Sequence, residues 1–320
     1  MAPPTMAEAS LLTQEPLVPG IVKTILVNDA FSAVIPTMPV DGKARVLNRQ
    51  ATDHGATWTD INATVDKTAA TVTRVTHHLG RAVGDVEIDT FEINSMSNIQ
   101  DIAAQHVDML AYKLGKLWRA AVVDGNTSFP TPMGLEQLAD EAGASQEVDH
   151  TDGGTTSTVG FQITLDNMDL LLGTVTAEGE MPFLVMNITS QNRLRSQMRA
   201  AGYGADETIE LGFLDPTTGQ RGYKKVMAYS GVPVFRNDNI GTYTTNSQSG
   251  RTKIYAGIFG GEGIHAMLPR NINQFIQLGI PFPAESRPVL IWRANMEAGL
   301  TNTNPKAIAR AANVTTAAPS

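Results

Sequence analysis

The stretch from Asn98 to Asp124, NIQDIAAQHVDMLAYKLGKLWRAAVVD, constrains the fold of this chain more than any other. Ala103, Val107, Leu110, Leu114, Leu117 and Ala121 recur at steps of four and three, which places them on one face of an α-helix. Ser97 with Gln100 fits a capping box at its start, and Gly125 stands where a left-handed C-cap would end it. At 1.5 Å per residue the helix would be about 40 Å long, enough to cross a domain. It is too short for more than a few heptads, Gly115 interrupts its polar side, and strand-rich sequence flanks it. Packing on a sheet along the Ala103 to Ala121 face is therefore expected rather than a coiled coil.

Around this helix the chain reads as strands, then an α/β insertion, then strands again. Residues 1 to about 20 are rich in Pro, Ala, Thr and Glu, with Pro16 and Pro19 enforcing extended backbone, so they read as an arm without a core. Pro36 and Pro39 mark a bend or an edge strand. GKARVLNRQ, the polar turn ATDHGATWTD and the Val/Thr-rich run Ala69 to Ile88 describe a long hairpin. The tip has little to bury apart from Trp58, and such a hairpin is marginal alone. EVDHTDGGTTSTVG is a polar link. FQITLDNMDLLLG reads as a helix led in by Thr158 or a neighbour, MPFLVMN as a buried strand, and NITSQNRLRSQMRAAG as a helix capped by Thr189 or Ser190. Further strand-like runs follow, and the composition after Asn302 suggests a flexible tail. The fold class expected is α+β, with a sheet discontinuous in sequence.

The search for chemistry returns little. The chain has no cysteine, which excludes a disulfide framework and thiol catalysis. No secretion signal or long apolar run is evident, so a soluble protein made in the cytoplasm is expected and the four N-glycosylation sequons carry no weight. GIFGGEGI lacks the spacing of a nucleotide loop and reads as close backbone packing. DHTDGG lacks the ligands of a calcium loop, and adjacent His77 and His78 would point to opposite faces of a strand. No catalytic residue, cofactor or metal is expected. Two local basic clusters stand out in a chain of net charge −8: Arg193, Arg195 and Arg199, and Arg221, Lys224 and Lys225. They could meet phosphate or an acidic neighbouring subunit, or be a solvated helix face and a strand edge.

LAYKLGKLWRAAVVDGN followed by PMGLEQL, then LVMNITSQNRLR, YSGVPVFRNDNI and IYAGIFGGEGI, resemble in order the tailed-bacteriophage major capsid proteins with the Hong-Kong-97-type fold. The helix closing in a DG turn before P-x-G-L, and the run GVPVFRND, resemble the family most. The resemblance implies an N-terminal arm at 1–40, an E-loop hairpin at 41–90, and a P-domain at 91–158 and 256–297 with its spine helix at 98–124. An α/β A-domain would take 159–255 and 298–311, and a flexible tail 312–320.

It also implies self-assembly into pentamers and hexamers of an icosahedral shell around double-stranded DNA, with no enzymatic activity and a place in the virion. DNA contact would be nonspecific, because an acidic lining avoids sticking to its cargo. The partners expected are other copies of the chain, a separate scaffolding protein, a portal and in some heads a decoration protein, with no membrane. A separate scaffold is expected because the sequence before the arm is short, with proteolysis of a longer precursor as the alternative. The tip TDHGATWTD has no lysine and Lys67 lies on the return, so no covalent crosslinking is expected. Candidate assembly residues are Pro16, Pro19, Ile21, Trp58 and the two basic clusters. The alternatives are an encapsulin-like compartment holding protein cargo, or a secreted β-rich surface protein.

Overall fold

A computed structural model describes residues 30–52, 54–56, 58–61, 64, 69–91, 99–148, 161–202, 207–214, 221–245, 248–271, 276–278, 281–284 and 287–315. The described chain begins with a short helix α1 (Ala30–Val34) and strand β1 (Thr37–Val40), then the hairpin β2 (Ala44–Thr52) and β3 (Thr71–His78). Strand β4 (Gly80–Asp89) leads to the spine helix α2 (Ile99–Val123), followed by α3 (Leu135–Ala142), β5 (Glu147–Val148) and β6 (Phe161–Gln162). An α/β stretch comes next: α4 (Leu165–Thr174), β7 (Met181–Met186) and α5 (Ile188–Ala200). Then come β8 (Thr208–Leu214), β9 (Arg221–Tyr229), β10 (Val232–Arg236), β11 (Tyr243–Thr245), β12 (Gln248–Phe259) and β13 (Ile264–Pro269). Short β14 (Ile276–Leu278) and β15 (Phe282–Pro283) precede the long β16 (Val289–Asn302) and β17 (Ile308–Thr315). Fifteen of these strands join one sheet, and β2 with β3 form another.

The centre of the large sheet runs β17, β12, β7, β10, β9, β8. Alternation along each strand sends neighbouring side chains to opposite faces. Leu184 and Met186, Ile254 and Ala256, and Val234 meet Met168 and Leu171 of α4 and Leu194 and Met198 of α5 on one face. Phe183 and Val185, Tyr255 and Phe259, and Phe235 meet α1, α2 and α3 on the other. Covered on both faces, these strands read as near-continuous apolar runs, which is why MPFLVMN is legible as buried. Phe31 of α1 stands edge-on to Phe183 and Phe235 at 5.4 and 5.6 Å between ring centroids, and Phe183 stacks on Phe259 at 4.0 Å. A side chain at Gly257 would put its Cβ 2.6 Å from the Phe183 ring, so the glycine-rich run makes room for the phenylalanines.

Strand β16 links this sheet to the long strands beneath the spine. Val289 to Ala298 pair with Asp89 to Gly80 of β4, after which Gly299 to Asn302 pair with Met267 to Ile264 of β13. The spine helix packs on β4 and β16, and Gly84 leaves the space that Leu110 fills: a Cβ there would lie 2.2 Å from Leu110 Cδ1.

Several sequence expectations are corrected. Leu117 is 46% exposed, and the buried face at the C-terminal half of the spine is Leu114, Trp118 and Val122, with Val123 beside it. The Trp118 indole N–H donates to Ser32 Oγ at 2.9 Å, which ties α2 to α1. Gly125 is not a left-handed cap. It is glycine because the following loop folds back on the helix end, leaving 2.2 Å between a Cβ and the Pro132 carbonyl oxygen. Helix α4 is capped by Thr164, whose hydroxyl accepts from Asn167 N, and α5 by Asn187, whose side chain accepts from Ser190 N at 2.9 Å. The arm expected over 1–40 is anchored from residue 30 onward, since Phe31, Ile35 and Val40 are buried and β1 pairs with β13. The tail expected over 312–320 is strand through Thr315, with Ala309, Ala311 and Val314 fully buried. Ser97 and its capping box lie outside the described residues.

Candidate assembly surfaces

The described hairpin is exposed along most of its length. Its strands pair from Ala44 opposite His78 to Thr52 opposite Thr71, with a bulge near the far end. Val72 is 65% exposed, and beyond the paired strands Trp58 and Ile61 lie open to solvent at 106% and 89%. Two strands without a covered face hold together weakly, so the hairpin depends on its attachment.

That attachment is a polar latch at its base. His77 of β3 is fully buried, with Nε2 2.9 Å from Glu141 Oε2 of α3 and Nδ1 2.7 Å from Thr301 Oγ1 of β16. Arg49 of β2 pairs with the same Glu141 and donates to the Asn302 carbonyl oxygen and Oδ1 at 2.9 and 2.7 Å. Arg45 donates weakly to Thr301 and Thr303, each at 3.4 Å. Burial, with the Arg49 and Arg45 guanidiniums and His78 nearby, pulls the His77 imidazole down to about 4. The ring is therefore neutral at pH 7. A carboxylate can only accept, so the hydrogen bonds assign the proton to Nε2, leaving Nδ1 to accept from the Thr301 hydroxyl.

A lowered folded value means the unfolded chain binds more protons as pH falls from 6.5 toward 4, so stability is lost across that window and is flat above it. The limit for His77 is about 3 kcal/mol. Melting temperatures from pH 8 to 4.5 should fall less for His77→Gln than for the native chain. His265, which burial also lowers, contributes to the slope that remains. Identical slopes for both chains would remove His77 from the account.

A second polar centre clamps α3 to the large sheet. Arg310 of β17 meets Glu136 at 3.0 Å, Asp140 at 2.6 Å and Glu147 at 3.1 Å. Lys253 and Tyr255 of β12 also donate to Glu136. Burial alone would raise Glu136, but the bonds from Lys253 and Tyr255 and the Arg310 charge outweigh it and hold the carboxyl below its ordinary range.

The two basic clusters meet in part. A cleft of about 440 Å³ is lined by Arg195 of α5 together with Lys224 and Lys225 of β9. The spine contributes Arg119, which sequence reading missed because it stands alone among apolar residues. Arg236 also lines the cleft, held by Asp238 at 2.8 and 2.9 Å from its Nε. Phe31, Val226 and Phe235 supply the apolar part. Arg193 and Arg199 do not line the cleft, and Arg199 is exposed in the last turn of α5, where a cation suits the helix dipole. Arg221 pairs through its backbone with Leu214. Pro16, Pro19, Ile21 and Lys67 lie outside the described residues.

A sheet discontinuous in sequence, a spine helix packed on it and a projecting hairpin make up the Hong-Kong-97-type fold. The holo-SrpI encapsulin complex from Synechococcus elongatus PCC 7942 matches at a TM-score of 0.63 and 17% identity, over 99% of this chain and 98% of that one. The capsid of an empty GTA particle matches at 0.63 and 16%, over 94% of each chain. A Microbacterium phage Oxtober96 chain matches at 0.55 and 13%, over 97% of this chain and 99% of that one. The sequence matches no protein-family model, and no curated protein is significantly similar to it.

Proposed function

We propose that this chain is the major capsid protein of a tailed phage, assembling as pentamers and hexamers into an icosahedral head that encloses double-stranded DNA. The observation that carries this reading is the hairpin. It is latched at its base yet exposes Val72, Trp58 and Ile61 to solvent, and another subunit is the surface that would cover them. The spine also exposes Met109 and Tyr112, three residues apart on its outer side, and Leu117 on a flank. The fold match along nearly the whole chain to shell subunits supports the same reading.

In this reading the spine helix with 91–158 and 256–297 forms the P-domain, and 159–255 with 298–311 the A-domain at the capsomer axis. The role is structural, in the virion. A separate scaffolding protein, a portal and, in some heads, a decoration protein are its partners, and the acidic chain touches packaged DNA without sequence preference. An encapsulin-like compartment is the second reading, favoured by the SrpI match.

Electron microscopy of the purified protein tests both. Large shells with a portal vertex and DNA are expected; small uniform shells with protein cargo would favour the compartment, and a compact monomer under all conditions would sink both. Thr52 lies opposite Thr71, so an Asn-Gly link replacing residues 53–70 can close the hairpin on a tight turn. That variant should keep the native melting temperature within a few degrees and form at least tenfold fewer shells. Normal shells from it would remove the hairpin from assembly.

A further inference from the structure

The basic cleft is local positive charge in a chain of net charge −8. Arg119, Arg195, Lys224, Lys225 and Arg236 line it against one carboxylate, Asp238, and Lys225 also lies 3.4 Å from Glu210, so the lining keeps a net positive charge that an incoming anion would balance. Its shape limits what that anion can be. A DNA duplex, whose grooves alone are about 6 and 12 Å wide, would touch only the rim of a 440 Å³ cavity. A protein turn carrying carboxylates beside small residues is narrow enough to enter it.

The chain itself presents such a turn. Glu178, Gly179 and Glu180 precede β7, and Glu262 lies in the connection from β12 to β13, all exposed. The two segments are stapled by their backbones: Glu262 N donates to Glu178 O at 3.2 Å and Glu180 N to Phe259 O at 2.7 Å. Gly260 and Gly261, at φ +74° and +57°, make the tight turn that this needs. The acidic knuckle is therefore pre-organised, which reduces what its ordering would cost on binding.

Placement supplies the second argument. The knuckle sits before Met181, the first residue of β7, whereas Arg236 of the cleft lies opposite Met186 at the other end of that strand. Six residues of strand separate the two ends, about 20 Å. Unlike surfaces at opposite ends of one body meet head to tail, and such contacts close into rings when the rotation permits.

We propose that the cleft receives the acidic knuckle of a neighbouring copy of this chain, a charge-matched contact between adjacent subunits of a capsomer. The proposal rests on the shell reading. The test compares the full native chain with Lys224→Glu/Lys225→Glu, Arg195→Glu, Glu178→Lys/Glu180→Lys, and the combination of the first and third. Sedimentation gives the assembled fraction, and melting temperature confirms folded subunits.

Each reversal should lower assembly at least tenfold, and the combination should recover it to within threefold of native. Recovery is the decisive reading, because simple damage at either site would add rather than cancel. Native assembly by all the variants, or loss without recovery, overturns the contact while leaving the shell reading intact. Shells that form from the Lys224→Glu/Lys225→Glu chain but retain less DNA would assign the cleft to phosphate and overturn it too. A native chain that never assembles would remove both readings together.

Discussion

Trp118→Ala is expected to cost about 3–5 kcal/mol in urea unfolding, the range for truncating a fully buried large aromatic. Trp118 is 1% exposed within the core that joins α1, the spine, α3 and one face of the sheet, so no single element can move in to fill the cavity. Its indole also donates to Ser32, and Trp118→Phe, which keeps most of the volume, should lose only about 1 kcal/mol with that bond. Four residues earlier on the same face, Leu114 is 2% exposed. Leu114→Glu would bury a carboxylate with no counter-charge, and folded subunits should disappear from the soluble fraction. Leu117→Glu, at an exposed position, should fold normally. Soluble Leu114→Glu chains with native circular dichroism would contradict the packing described for the spine.

Arg310→Met is the second large effect, expected at about 2–4 kcal/mol. Breaking a buried ion pair from one side costs more than the pair contributes, because the remaining charge stays desolvated. Glu136, at 15% side-chain exposure, carries most of that cost; Asp140, at 58%, can turn to water. The pH dependence follows from Glu136, whose folded value lies below the ordinary 4.5. Its contribution is complete above 4.5 and is lost as pH falls through the folded value. The gap in melting temperature between native and Arg310→Met should thus be full at pH 7 and narrow below pH 4.5. Glu136→Gln in the Arg310→Met background should recover part of the loss, and a double-mutant cycle gives the coupling. A gap independent of pH would mean that Arg310 acts through packing of its stem alone.

Much of the fold is legible in the sequence because its strongest signals are local. The spine's period, the Val/Thr-rich hairpin strands and the apolar run of β7 each follow from nearest neighbours in one element. The errors come from tertiary contacts. Leu117 and Trp118 are adjacent and both apolar, and the three-four rule alone cannot choose between them when Met109 and Tyr112 give the outer face an apolar stripe of its own. The sequence beyond Asn302 looks flexible because it is rich in alanine and asparagine, yet Ala309 and Ala311 are buried where small side chains let β17 lie close beneath its helices. Adjacent histidines disclosed nothing about His77, whose partners Glu141 and Thr301 are 64 and 224 positions away. Both basic clusters were visible as composition, but their convergence on one cleft, and the part of Arg119 in it, depend on α5, β9 and the spine meeting in space.

The position of β17 bears on the timing of synthesis. It lies beside β12 in the large sheet, with β5 and β6 on its other edge, so residues 308–315 hold to β12 two strands that left the ribosome more than a hundred residues earlier. Translation proceeds at roughly 5–20 residues per second, so the slot beside β12 stays open for several seconds after β5 and β6 have been made. A nascent subunit lacks its Arg310 clamp for that interval, and α3, which also carries Glu141 of the hairpin latch, is held to the sheet by its apolar contacts and by Lys253 and Tyr255 of β12 alone. Order of synthesis thus leaves the full anchoring of the hairpin until β17 has been made.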